Sequence, residues 1–300
     1  MSEELVLRPS EEATQLDAHG PDALFLKTWL HGKSNKTRSA YLSDISKFYT
    51  FTQKSLQEVR LEDVQNFVDS LTTYKQSTQV RMIASIKSAM SFGIKTGYLS
   101  VNVGAVIKLP RLEDTLAERI LSEKQIARMF ALEENQRNHA ILVLLYRAGL
   151  REAELCNLQW RHLQERGDTG QLAIYGKGQK TRHILLDQET WQEVTSLRWT
   201  EDTPESYVFK SRQSRSRSGE KSQRIDESQI HRIIRAAARQ AGITGNVSPH
   251  WLRHAHATHS IENGATITLV KETLGHKSIQ TTTRYVHVRP GTSSTQFLKI

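Results

Sequence analysis

The chain of 300 residues has a single cysteine, Cys156. It can form no internal disulfide and no cysteine-rich zinc site. Long apolar runs are missing as well. The longest, Ala140 to Tyr146, falls far short of the roughly 20 residues a bilayer-crossing helix needs. The opening stretch, Met1 to Ser10, is acidic first and has no apolar core of signal-peptide length. The expectation is therefore a cytoplasmic protein with no membrane partner. No internal repeat is visible. Acidic residues are the scarcer charge: 32 Asp and Glu face 41 Lys and Arg, a formal net charge of +9 and a sequence pI of about 9.6. Such an excess favours a polyanionic partner, of which nucleic acid is the usual one, although a merely basic soluble protein has the same numbers. With 37% hydrophobic residues and a mean hydropathy of -0.52, the chain reads as globular. Its length favours two domains, each able to bury a core.

The first third predicts four helices. One spans roughly 21 to 30. A second follows Ser34, an N-cap residue, and carries Tyr41, Ile45, Phe48 and Tyr49 at helical spacing. A third runs near Leu61 to Leu71. The fourth runs from Ser77 to about Lys95, with Val80, Ile83, Ala84, Ile86, Ala89, Met90 and Phe92 inward and Gly97 just past its end. Lys36, Arg38, Lys47, Arg81 and Lys87 lie off those stripes, as residues of a solvated face also would. Lys108-Leu109-Pro110-Arg111 ends this bundle. The expected organisation is a helical domain over 1–110, a linker over 111–118 and a second domain over 119–300.

The second domain opens with Ser122 and Gln125 in a capping-box pattern. Asn138 to Ala148 reads as a buried helix, Gly149 as its cap, and a new helix starts near Arg151. The period then changes. Gln171 to Tyr175 and Arg182 to Leu186 predict a β-hairpin around Gly176-Lys177-Gly178. Ser211 to Arg224, rich in serine and arginine, predicts a loop, either touching phosphates or simply solvated. A helix follows over about 227–240. The fold class is mainly α with a small β-sheet: a helical bundle followed by a mixed α/β domain.

Several residues suit phosphodiester chemistry. Arg151, with Leu155 and Leu158 on its helical face, sits near apolar core and needs an anionic partner. Glu154, three residues on, suits that role, and a plain structural Arg–Glu pair has the same pattern. Lys177 stands between two glycines at a hairpin tip, where an exposed turn lysine is equally at home; the flanking spacing of a Walker loop is absent. Ser248 and Pro249 fit an N-cap and first helical position. They put His250 and Arg253 on one face at a helix start, the end that favours an anion. His254, His256 and His259 follow. His250 and His254 have helical zinc-site spacing, but no His-Glu-x-x-His pattern or nearby cysteine supports a metal, and packing or water binding is the alternative. Leu274-Gly275-His276 ends a helix. Tyr285 follows a threonine-rich segment of modest helix propensity, which suits a nucleophile that must move; a packing role for it is the default.

Arg151 in Arg-x-x-Glu-Leu, Lys177 in the hairpin, His250-x-x-Arg253-His254, Leu274-Gly275-His276 and Tyr285 occur in the order of the tyrosine recombinases, which the chain resembles over nearly its whole length. The likeness is strong from Ala148 to Val288 and weaker before Pro110. Ala257-Thr258-His259, Glu262-Asn263-Gly264 and Thr282 to Val288 also resemble that family. One departure is Asn102-Val103, where relatives often have Asn-Pro; the linker approach is expected to differ slightly.

The resemblance implies a site-specific recombinase that needs neither metal nor cofactor and joins DNA to Tyr285 through a 3′-phosphotyrosyl bond. It makes Arg151 and Arg253 the phosphate clamp. His250 accepts the Tyr285 proton directly or through a shared network, His276 bonds a phosphate oxygen, and Lys177 is the acid for the 5′ leaving oxygen. The first domain becomes a core-binding domain that meets double-stranded DNA at a specific site through Lys36, Arg38, Arg81 and Lys87. Four copies act on two duplexes, with the tail Gln296 to Ile300 docking on a neighbour and a second recombinase or accessory protein as a further partner. With only a short stretch before the first helix, no arm-binding domain is expected. The rivals are a topoisomerase with the same chemistry, a DNA-binding protein that keeps the fold without catalysis, and a histidine metal protein.

Overall fold

The structure is a computed structural model that describes residues 22–111, 116–175, 181–211 and 224–286. The chain divides into two compact units, 1–113 and 114–300.

In the first unit, α1 (Ala23–Leu30), α2 (Asn35–Thr52), α3 (Leu61–Ser70) and α4 (Gln76–Lys95) surround one core. Ser34 accepts the Thr37 N–H and so satisfies one of the orphan donors at the start of α2. Ile45 and Phe48 are fully buried at the spacing that turns one face inward, and Phe48 meets Phe67 of α3 edge-on at 5.1 Å. Gly97 takes φ +72°, the left-handed turn that releases the chain from α4. A buried carboxylate fixes the geometry. Asp22, 2% exposed, accepts the Tyr49 and Tyr98 hydroxyls and the Leu56 N–H, tying the start of α1 to α2, to the α2–α3 connection and to the segment after α4. Its hydrogen bonds replace the water lost on burial.

The second unit opens with α5 (Glu123–Leu132), whose Ser122–Gln125 capping box forms as the sequence predicts. Next comes α6 (Gln136–Arg147), buried from Ala140 to Leu145 and packed against α10 (Pro249–Glu262). Gly149, φ +58°, turns the chain into the short α7 (Glu152–Cys156). Three antiparallel strands follow in the order β1 (Leu163–Arg166), β2 (Thr169–Tyr175) and β3 (Thr181–Leu186), with Leu172 opposite both Leu163 and Ile184. The sequence pattern predicts only β2 and β3, because β1 is short and largely exposed. α8 (Gln188–Thr195) packs on β2 through Trp191, and Gly170 makes that possible: a Cβ there would lie 2.1 Å from the indole. α9 (Glu227–Gln240) lies where the sequence predicts it, and α11 (Ile267–Leu274) and α12 (Ile279–Thr283) complete the unit. Among the described residues no helix is long and apolar enough to cross a membrane.

Two local expectations are corrected. Arg151 is the N-cap of α7 rather than a residue within a helix, and α7 ends at Cys156, so Leu158 shares no helical face with it. Ser248 stands at the N-cap of α10, but its hydroxyl makes no capping bond. Residues 176–180, with Lys177, lie outside the described residues, as do most of the 211–224 loop and the tail from 287 on.

Candidate active site

The second unit gathers its functional side chains around the C-terminal end of α11. The last carbonyls of a helix have no partner within it, and arginines meet them here. Arg253, 5% exposed on α10, donates to the Gly149 carbonyl and to the Leu274 carbonyl at 2.6 Å. Arg151 donates to the Gly275 carbonyl at 3.1 Å and to Glu154 at 2.8 Å. The two guanidiniums are thus anchored on adjacent residues of one chain end. Gly149 is required at the turn, because a Cβ there would lie 2.7 Å from Leu274 and 2.9 Å from His256.

Glu154 is the counter-charge. Its Oε1 accepts from Arg182 at 2.9 Å and its Oε2 accepts from Arg182 and from the Arg151 backbone N–H, both at 2.8 Å. Burial pushes this carboxyl up, but the bidentate Arg182 bonds, the Arg182 charge and the Arg151 N–H and charge outweigh it and bring it down to about 2. Arg253 is lowered too, but for a guanidinium a downward shift disfavours the charge. Burial first, and the Arg151 charge next, push it down to about 9, still cationic at neutral pH. Among the described residues, Glu154 bonds Arg151 and Arg182 but not Arg253, which donates only to backbone carbonyls, so three guanidiniums face one carboxylate; paired guanidiniums such as Arg151 and Arg253 suit a phosphate.

Tyr285, 6% exposed, follows α12 and packs with Leu116, Ile120, Ala257, Val270 and Leu274. Burial holds its phenol above the ordinary range, with Arg253 and Arg284 opposing. Its hydroxyl meets His254 Nδ1 at 2.8 Å. Burial first, then the His250 and Arg253 charges, bring His254 to about 4, so the imidazole is neutral at pH 7 and, in the tautomer with Nδ1 unprotonated, accepts a hydrogen bond from the phenol. His250 is exposed on the first turn of α10, and its ring stacks on His254 with centroids 6.3 Å apart. Desolvation and the Arg253 charge also hold His250 below the usual imidazole range, against Glu152. On the other side, the His276 ring lies nearly parallel to Tyr285 at 6.3 Å and its Nδ1 meets the Thr282 hydroxyl at 2.9 Å. Burial, then Arg253 and Arg151, bring His276 to about 4.

The structure thus brings Arg151, Arg253, His250, His276 and Tyr285 together. Sequence reading leaves His254 and Arg182 out of the site. His254 announces itself only by following Arg253, and Arg182 reads as an ordinary strand residue. His256 and His259 face away from the tyrosine, bonded to the Tyr146 carbonyl at 2.7 Å and hydroxyl at 2.9 Å. Among the described residues no group of three or more His, Cys, Asp or Glu is disposed to hold a metal ion.

The chain matches the model of the phage integrase family over residues 119–291, and that of the N-terminal SAM-like domain of phage integrases over 25–97. The chain belongs to the phage integrase family, the tyrosine recombinases. It is 33% identical to the tyrosine recombinase XerC of Corynebacterium glutamicum, over 86% of this chain and 83% of that one. It is 30% identical to a tyrosine recombinase of Thermosipho africanus, over 85% of this chain and 89% of that one. Its fold resembles the crystal structure of XerH site-specific recombinase bound to difH substrate, with a TM-score of 0.66 at 17% identity, over 97% of this chain and 88% of that one. The enzyme is a tyrosine-type site-specific DNA recombinase.

In the first unit of this recombinase the four basic residues differ in their surroundings. Lys36 and Arg38 are exposed at the start of α2. Arg81 is exposed but paired at 2.5 Å with Asp44, itself 0% exposed. Lys87 donates to the carbonyls of Gly104 at 2.9 Å, Ala105 at 3.0 Å and Ile107. Those bonds close the turn that begins at Asn102-Val103, and a DNA contact by Lys87 would require giving them up.

Proposed function

We propose that the recombinase holds a scissile DNA phosphate between Arg151 and Arg253 and attacks it with Tyr285. The observation that carries this is the pair of guanidiniums anchored at Gly149, Leu274 and Gly275, beside a phenol already bonded to a neutral histidine. A tyrosine hydroxyl, with a reference pKa of about 10, is a poor nucleophile until it loses its proton. As the phenol oxygen bonds to phosphorus, its proton passes to His254, with His250 stacked behind as the shared network. His276 bonds a non-bridging oxygen. The phosphorus–5′ oxygen bond breaks, and Lys177 protonates the leaving oxygen. The products are a 3′-phosphotyrosyl enzyme and a free 5′ hydroxyl. The bond energy is kept, so a second strand's 5′ hydroxyl can reseal a new junction without ATP or metal. Because Tyr285 starts inside the Leu116–Leu274 packing, it turns outward to reach the phosphate.

The partner is double-stranded DNA with a specific core site, met in part by Lys36 and Arg38. Four copies act on two duplexes in the cytoplasm, the tail after Tyr285 docks on a neighbour, and a second recombinase or accessory protein takes part where one copy type does not suffice. The test uses a duplex carrying a cleavable site. Arg151→Ala and Arg253→Ala should each lower adduct formation by about 10²–10³, the loss typical of one transition-state donor, while duplex binding persists. Lys177→Ala should be rescued by a 5′-thiol leaving group. Full cleavage by both arginine variants would refute the clamp, and relaxation of supercoils without strand exchange would favour a topoisomerase.

A further inference from the structure

Arg182 does more than pair with an acid. It is the second residue of β3, opposite Ile174, at the base of the hairpin whose connection includes Lys177. All three kinds of guanidinium nitrogen are engaged. Nη1 and Nη2 bond the two Glu154 oxygens at 2.9 and 2.8 Å, and Nε donates to the Thr273 carbonyl at 2.7 Å. Glu154 in turn accepts Arg151 Nη1 and the Arg151 backbone N–H, both at 2.8 Å, and Arg151 Nη2 reaches the Gly275 carbonyl. The bonds form a closed ring: Arg151, Glu154, Arg182, the 273–275 segment, and Arg151 again. His276 leaves this ring directly. Gly275, φ +62°, makes the fit possible, since a Cβ there would lie 3.1 Å from Arg182 Nη1.

An Arg–Glu pair three residues apart on a partly exposed surface is ordinarily loose, and the Arg151 side chain is 38% exposed. What makes this pair rigid is the second arginine, whose side chain is only 13% exposed. We propose that Arg182 is a positioning residue for strand cleavage: by gripping Glu154 and the end of α11 together, it sets where the Arg151 guanidinium stands against the scissile phosphate. The proposal rests on the reading of Arg151 as a phosphate ligand. A lysine cannot take the role, because one ammonium cannot span both carboxylate oxygens and the Thr273 carbonyl in a fixed plane.

The test compares adduct rates on a cleavable duplex with a natural scissile phosphate and on the same duplex with a methylphosphonate there, which removes one non-bridging charge. Wild type, Arg151→Ala, Arg182→Met and Arg182→Lys are measured together with their thermal midpoints and duplex affinities. Arg182→Met is expected to lose about 10²-fold on the phosphate and less than about 10-fold on the methylphosphonate, following Arg151→Ala, because the charge that Arg151 must meet is smaller there. Arg182→Lys should not restore the rate. Should the Met variant fail to fold, the Lys variant carries the same comparison. Equal losses on both substrates, or no loss, would overturn the proposal. Full cleavage by Arg151→Ala would instead defeat the clamp reading and the proposal with it, a result separable from the first by its own variant.

Discussion

Glu154 offers the sharpest energetic prediction. Its carboxyl stands at about 2 instead of 4.5, so the folded protein favours its ionised form over its protonated form about 300-fold more than the unfolded chain does, or about 3 kcal/mol. The side chain is 11% exposed, so solvent screens little of this. Because the folded value is depressed, the stabilisation is complete above pH 4.5 and is lost as pH falls towards 2; roughly half remains at pH 3. Glu154→Gln removes the charge at nearly constant shape. Urea unfolding followed by tryptophan fluorescence is the assay. It reports mainly on the second unit, which holds Trp160, Trp191, Trp199 and Trp251, against Trp29 in the first. The variant should be about 3 kcal/mol less stable than wild type at pH 7, and the gap should close steadily below pH 4.5. A deficit under about 1 kcal/mol at pH 7, or one of the same size at pH 3, would refute the argument that two arginines hold this carboxylate.

The other predictions concern both units. Arg81→Met leaves Asp44 buried without its partner and should cost the first unit about 3 kcal/mol, most of it recovered in Arg81→Met/Asp44→Asn; amide hydrogen exchange of α1–α4 checks this, and an unaffected single variant would contradict it. His254, His256 and His276 are all held at about 4, chiefly by burial. Their contribution is present above pH 6.5 and lost as pH falls towards 4, so the second unit should weaken steadily over that window; a flat urea midpoint between pH 7 and 5 would contradict it. Lys36→Ala and Arg38→Ala should each lower DNA affinity and reduce the salt slope by about 1. Lys87→Met should instead lower the thermal midpoint of the first unit and leave the salt slope unchanged.

Local signals are readable at most caps and turns, Ser248, whose hydroxyl makes no capping bond, being an exception. Ser34, Ser122 with Gln125, Gly97, Gly149 and Gly275 mark chain turns and caps whose geometry depends on a few neighbouring residues. The order of Arg151, His250, Arg253, His276 and Tyr285 likewise pointed to one chemistry. What the sequence did not reveal depends on distant partners. Arg182 and Glu154 are 28 residues apart, and Arg182 and Thr273 are 91 apart; no periodicity links them. His254 looked like one of several histidines on a helix, and only the return of the chain at Tyr285 gives it a role. Lys87 looked like a free surface cation because the carbonyls it gathers belong to a turn with no sequence motif. Leu155 and Leu158 repeat at helical spacing from Arg151, but α7 begins only after Arg151, which caps it, and ends at Cys156 before Leu158.

The most direct test is covalent capture. Wild type and Tyr285→Phe are incubated with fragmented source DNA and quenched with denaturant, and the DNA that stays attached to protein is sequenced. The account predicts adducts in wild type alone, ending at one recurrent site, with a free 5′ hydroxyl on the partner strand. Adducts formed equally by Tyr285→Phe would contradict it and assign the nucleophile to another residue.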